Sequence, residues 1–352
     1  MMTPDYSKTV PFLLSILVIF VLGIILRELQ SILLPFVIAV FLSIIFGPLV
    51  TYLKQRRIPT FIALLVVLFS IASFLFLLAM VVSSSVDSFV REVPKYQDRL
   101  LRLGSAVALA LNRLAADLNV QMEETNLRNA FQLSTLISTV ASGIGSFINL
   151  LTNIFLVLLF MVFILAGTGE LGIKIRQAFP LDQADRIMEV LEKIGTRSRR
   201  YLAIKTLISA ATGLMTFLIL WVLGVDFPLV WGFVTFLLNF IPNLGSLIAI
   251  ILPFTLSLLQ FDNVHIPILV LILLSATQFA LGSIIEPRLM AFRLNLSPLL
   301  VLASLIFWGW LWGVVGMILA VPIMATVKII FENIEALQPI SVFMGRHIKM
   351  LE

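Results

Sequence analysis

Two stretches of this chain, Phe227–Phe261 and Leu294–Val327, run for 35 and 34 residues without a formal charge. A straight helix of 35 residues is about 52 Å long at about 1.5 Å per residue, against a hydrocarbon core of about 30 Å. Each stretch is too apolar to stay in water and too long to cross a bilayer once as a rod. Both carry helix breakers in the middle: Asn239, Pro242, Asn243 and Gly245 in the first, Gly309, Gly313 and Gly316 in the second. Each also has a proline towards either end, Pro228 and Pro253, then Pro298 and Pro322. These patterns predict that each long stretch is a broken or re-entrant helical hairpin.

Six shorter apolar runs are ordinary spans: Val10–Leu26, Ile32–Leu53, Phe61–Val82, one within Ile144–Ala166, one within Tyr201–Val225, and Ile266–Ile285. Val10–Leu26 lacks a small-residue cleavage site and a second run follows almost at once, as in a retained anchor. The expected fold is an all-α polytopic membrane protein with six full spans plus two hairpins. Eight spans, with each long stretch crossing once, is the alternative. At 60% apolar residues, against about 45–50% in soluble domains, the chain cannot be a soluble enzyme, a disordered chain or a disulfide scaffold. It has no cysteine, which removes thiolate chemistry. Its excess of basic residues flanks apolar runs, so it orients the chain in lipid and does not mark a nucleic-acid site.

Lys54, Arg56 and Arg57 lie between the second and third spans with no acid among them. By the positive-inside rule that loop is cytoplasmic, and so is the N-terminus. The segment 83–143, with six basic and six acidic residues, then lies outside. The segment Gly167–Arg200 ends in Arg197, Arg199 and Arg200 and lies inside. Five parts follow: a three-span segment (1–82), an extracytoplasmic segment (83–143), a fourth span with a cytoplasmic segment (144–200), a transport core (201–327) and a cytoplasmic tail (328–352). Leu100, Leu103, Val107, Leu111, Leu114 and Leu118 form a narrow helical stripe outside, and Ile187, Val190, Leu191 and Ile194 repeat the pattern inside.

Within the core, a span followed by a broken stretch (Tyr201–Phe261) is repeated by a span followed by a broken stretch (Ile266–Val327). If each hairpin returns to the face it came from, each unit crosses once and the second is inverted. That is a secondary-transporter plan, with discontinuous helices lining a midplane site. Loop charges agree: Asp262–His265 has no Lys or Arg, whereas Arg288 and Arg293 stand against Glu286 in the next loop.

No catalytic constellation, metal site or cofactor motif is expected. His265 and His347 have no ligand-spaced neighbours, and the glycine-rich run at Gly167–Lys174 lacks the Gly-Lys-Ser/Thr of a phosphate loop. Asn239, Asn243 and Ser246 either cap broken helix ends or bind a polar solute beside them. Gln278 and Glu286 lie on or just past one span. Glu286 is either a solvated flank paired with Arg288 or a proton- or cation-coupling group. Lys205, five residues into its span, is expected to snorkel to the cytoplasmic face, with gating as the other reading. Gly309 and Gly313 suit close helix packing or a hairpin turn equally. Trp308, Trp310 and Trp312 suit an interfacial belt.

The segments FLLNFIPNLGSLIA (236–249), EPRLM (286–290) and SPLLVLASLIFWGWLWGVVGMILAVPI (297–323) resemble the autoinducer-2 exporter family of bacterial membrane proteins. The likeness covers essentially the whole chain and is greatest to the enterobacterial quorum-signal transporters of that family. It implies an inner-membrane exporter of a small, uncharged, hydroxylated signal molecule, assembled as a homo-oligomer such as a pentamer. Some members resemble sodium/proton antiporters in activity. Two positions depart from the family pattern: the residue before Leu296 is often glycine and is Asn295 here, and the residue after Gly245 is often proline and is Ser246 here. Export of a small polar solute, autoinducer-2, is the leading expectation. Asn239, Pro242, Asn243, Gly245, Ser246, Gly309, Gly313 and Gly316 would then line its path, and Glu286, Arg288, Gln278 and Lys205 would couple or gate. A sodium(lithium)/proton antiporter and a non-transport membrane scaffold are the alternatives.

Overall fold

The computed structural model describes residues 23–92, 154–290 and 295–345, together with positions 14, 17, 18, 21 and 96. Among the described residues every regular element is a helix. Five are long and apolar enough to cross a membrane: Gln30–Gln55, Ile154–Ala178, Leu181–Val222, His265–Leu289 and Pro298–Glu332. Thr60–Ser73, Pro228–Leu238 and Leu244–Gln260 are shorter apolar helices, the first being part of a helix that runs on to Glu92. The chain is an all-α polytopic membrane protein. Most of the first span, the stripe at Leu100–Leu118 and the start of the fourth span lie outside the described residues.

The helices differ from the sequence reading in length. The segment Gly167–Arg200 is carried by the ends of two long helices: Ile154–Ala178 runs on past its apolar run, and Leu181–Val222 is one helix of 42 residues. The only interruption is at Phe179–Pro180, where the proline ring disfavours α backbone in the residue before it. Pro180 then accepts the first amides of the new helix, from Gln183 at 3.0 Å and Ala184 at 2.9 Å.

The chain groups into two compact units. The first comprises Met1–Ala72, Thr152–Ala203 and Phe292–Glu352, and the second comprises Ser73–Leu151 and Ile204–Ala291. In the first, the Gln30–Gln55 helix lies along Ile154–Ala178, with Phe36 and Phe160 edge to face at 5.5 Å. In the second, Leu220, Val230, Trp231, Val234, Leu256, Leu259, Val270 and Leu274 make a buried core with Tyr96. The apolar residues that face outward in both units, among them Phe61, Phe69, Phe155 and Trp221, are what a lipid-facing surface requires.

Candidate functional site

The first long stretch is two helices, Pro228–Leu238 and Leu244–Gln260, laid side by side. At about 1.5 Å per residue they reach only about 16 and 25 Å, so neither spans a core of about 30 Å. The tip is built by the breakers. Asn239 closes the first arm in right-handed backbone. The amide of Leu244 donates to the carbonyl of Pro242 at 2.7 Å, and Asn243 between them has φ 61 and ψ −53. That is a γ-turn with positive φ at its centre, a rare and strained conformation. Ser246 donates to the Asn243 carbonyl at 3.0 Å. Gly245 lies so close to the first arm that a Cβ there would sit 1.7 Å from the Leu238 carbonyl oxygen.

The open end of the same hairpin is laced by one side chain. Gln260 accepts from the Asp226 amide at 2.8 Å and donates to the Gly224 carbonyl at 2.7 Å. Tyr96 donates to the Asp226 carboxylate.

Polar side chains run up one face of the adjoining helix. Lys205, Ser209, Thr212 and Thr216 are all buried and recur at helical spacing. Lys205 Nζ meets Glu286 Oε1 at 2.6 Å, with the two side chains 5% and 18% exposed. One turn on, Asn239 Nδ2 donates to Ser209 Oγ at 3.1 Å. Two turns on, Gly213 and Gly232 touch through their backbones; a Cβ on Gly213 would lie 2.6 Å from the Gly232 carbonyl oxygen. This is small-residue helix packing, and it leaves no room for a solute between those two helices at that level. Glu286 is carried there by a helix that widens into a seven-residue π stretch, Phe279–Ile285, of the kind that often marks functional sites. Gln278, just before it, is buried, and its Nε2 has no hydrogen-bond partner among the described residues.

The second long stretch, Pro298–Glu332, also folds back on itself. Helical backbone fails at Trp312 (φ −129, ψ 16) and Gly313 (φ 64, ψ −147), the latter in a region open essentially to glycine alone. A Cβ on Gly316 would sit 2.0 Å from the Trp308 carbonyl oxygen, and one on Gly309 would sit 2.8 Å from Met317 Cγ. In an unbroken helix residues eight apart are about 12 Å apart along the axis. Nothing lies within 4 Å of a Cβ on Gly313, so it serves the turn and not close helix packing. The tryptophans are tied into the protein: Trp308 and Trp312 stand 4.8 Å apart, Trp312 Nε1 donates to the Leu26 carbonyl at 3.4 Å, and Arg27 lies 5.3 Å over Trp310.

Each broken stretch is thus a hairpin, and the version in which each crosses once as a rod is not the one adopted. Lys205 does not snorkel: it is buried and paired. Glu286 pairs with Lys205 and not with Arg288, whose side chain is exposed. Asn239, Pro242, Asn243, Gly245 and Ser246 gather at the first tip, Gly309, Gly313 and Gly316 at the second. Ser209, Thr212, Gly213, Thr216 and Gly232 were missed in the sequence. For Ser209, Thr212 and Thr216 the signal is polar residues three to four apart within an apolar run; the lone glycines give none by themselves.

The AI-2E family transporter profile matches residues 14–336. The chain is 33% identical to the Escherichia coli K12 AI-2 transport protein TqsA over 335 residues, covering 95% of this chain and 94% of that one. It is 31% identical over 308 residues to a Borreliella burgdorferi protein, covering 86% of this chain and 83% of that one. It is 29% identical over 348 residues to Escherichia coli K12 YhhT, covering 98% and 97%. The last two are assigned to transport only provisionally and without a named solute.

Proposed function

This chain belongs to the AI-2E transporter family, and on that premise we propose that it exports a small, uncharged, hydroxylated signal molecule, autoinducer-2, across the bacterial inner membrane. The substrate comes from its likeness to TqsA and from the resemblance of its hairpin segments. The observation that carries a coupled mechanism is the buried Lys205–Glu286 pair, 2.6 Å apart, one helical turn from the residue that anchors the first hairpin tip. A buried ion pair that joins two helices holds only while both charges are present, so an ion that replaces one member opens it. Neutralising Glu286 would release Lys205 and loosen the end of the pathway beneath the tip.

In this reading the loop charges set both termini in the cytoplasm, and the two span-plus-hairpin repeats are oppositely oriented. The working form is a homo-oligomer. Uptake of radiolabelled autoinducer-2 into inverted vesicles tests the reading. Uptake above empty vesicles, raised by an imposed proton gradient and lost in Glu286→Gln, is expected; no uptake under either condition overturns it.

The same ion pair favours one second reading, sodium(lithium)/proton antiport, because a cation that displaces Lys205 from Glu286 is bound by the carboxylate left behind. That reading predicts sodium- or lithium-dependent pH changes in vesicles that vanish in Glu286→Gln, without any autoinducer-2 flux.

A further inference from the structure

Lys328, on the outgoing arm of the second hairpin, is only 2% exposed. A buried ammonium is costly unless its donors are matched, and here one match comes from the other end of the same hairpin and one from the next turn of its own helix. Lys328 Nζ donates to the Asn295 carbonyl at 2.5 Å. It also lies 3.5 Å from Glu332, a carboxylate that Arg197 approaches at 3.8 Å. Asn295 has φ 50, left-handed backbone that lies just ahead of the hairpin's first arm. Two residues on, Ser297 caps that arm by accepting from the Leu300 amide at 3.2 Å, while its own amide donates to the Met344 carbonyl at 2.8 Å. Gly345, ending the C-terminal helix Gln338–Met344, comes so near that a Cβ on it would lie 3.6 Å from Lys328 Nζ and 3.5 Å from Asn295 Nδ2.

Three chain segments therefore converge on one ammonium: the lead-in at 295–297, the outgoing arm at 328–332 and the end of the C-terminal helix at 344–345. We propose that Lys328 is a positioning residue that ties the open end of the second hairpin shut, with the C-terminal helix as the cover that holds the tie in place. The ammonium suits this use because it reaches from its own helix to the Asn295 carbonyl by a point contact with no covalent link, while Glu332 one turn on along the same helix steadies it, so the closure is firm yet reversible. An apolar side chain would fill the space without joining Asn295 to the outgoing arm. The consequence for transport rests on the transporter reading; the structural claim does not.

The chain has no cysteine, so a single thiol reports cleanly. Ser341, in the C-terminal helix, is 5% exposed and becomes the reporter as Ser341→Cys. In the full-length protein in detergent, Lys328→Met is expected to raise the rate of maleimide labelling at this site at least tenfold. Glu332→Gln, which keeps the bond to Asn295, should raise it less than threefold. Asn295→Val, which drives the residue carrying the acceptor carbonyl out of its left-handed backbone, provides a second route to the same opening should Lys328→Met not fold, and should also raise labelling at least tenfold. If labelling stays within twofold of the parent in whichever of the two folds, the proposal is wrong. Where vesicles carry autoinducer-2, Lys328→Met should lower the maximal rate at least fivefold with the half-saturating concentration unchanged. A shift in half-saturation alone would place Lys328 at the solute and overturn the positioning role. Absence of any flux in the parent would count against autoinducer-2 as the solute and leave the labelling result to decide.

Discussion

Arg199 donates through Nε to the carbonyl oxygen of Ile44 at 2.9 Å, and Ile44 is the residue whose carbonyl Pro48 leaves without a helical donor. Proline has no N–H, so the acceptor four residues earlier is orphaned inside the Gln30–Gln55 helix. The guanidinium supplies the missing donor from a different helix and so joins the two. Arg199→Ala should cost about 1 kcal/mol, the usual net worth of such a bond. Pro48→Ala restores the internal donor, so the double variant should lose less than Arg199→Ala alone. Thermal unfolding of the four proteins in one detergent measures the coupling, and strict additivity would refute it.

The Lys205–Glu286 pair makes a sharper prediction. Removing one member leaves a buried charge without its partner, which typically costs about 3–5 kcal/mol. Glu286 keeps some exposure, so Glu286→Met and Lys205→Met should each fall near the lower figure. Lys205→Met/Glu286→Met removes both charges and should recover most of the stability. Under the proposed mechanism transport should stay absent in all three, because none of them keeps the ion pair whose opening couples the ion to the solute. Recovery of flux together with stability in the double variant would reduce the pair to a structural device.

The fold and the two hairpins were legible because they rest on quantities a sequence displays: uncharged length against bilayer thickness, and clustered breakers. Which polar residues meet was not. Lys205 and Glu286 lie 81 positions apart, and each sits near the end of an apolar run, where a solvated charge is the ordinary outcome. Lys328 hid in the same way, as the first charge after a long stretch. Gly213 and Gly232 hid because a lone glycine in an apolar run signals close packing only when the facing helix is known. The strain at Asn243 is invisible in sequence, since asparagine is also common in unstrained turns.

The tip glycines should differ in a set order. Gly245→Ala and Gly316→Ala would drive a methyl into backbone carbonyls at 1.7 and 2.0 Å, so the arms must separate. Gly313→Ala meets no atom but imposes a side chain on φ 64, at about 1–3 kcal/mol. Gly309→Ala faces the Met317 side chain at 2.8 Å, a flexible neighbour that can move aside. Gly245→Ala and Gly316→Ala are thus expected to lower the melting temperature most and Gly309→Ala least. Equal losses at all four sites would mean that the tips are not packed this tightly.

Asn295 occupies left-handed backbone with φ 50, a conformation that glycine takes freely, asparagine tolerates, and other L residues adopt at about 1–2 kcal/mol. Glycine would take this conformation without strain, and asparagine is the nearest substitute. The bond from Lys328 goes to the Asn295 backbone carbonyl, so the side chain itself is not needed for the tie. Asn295→Gly should leave labelling of Ser341→Cys within twofold of the parent. Asn295→Val, β-branched and barred from this region, should lose about 2 kcal/mol or more and speed the labelling as Lys328→Met does. Matching behaviour of the glycine and valine variants would show that the backbone at 295 does not set the closure of the hairpin.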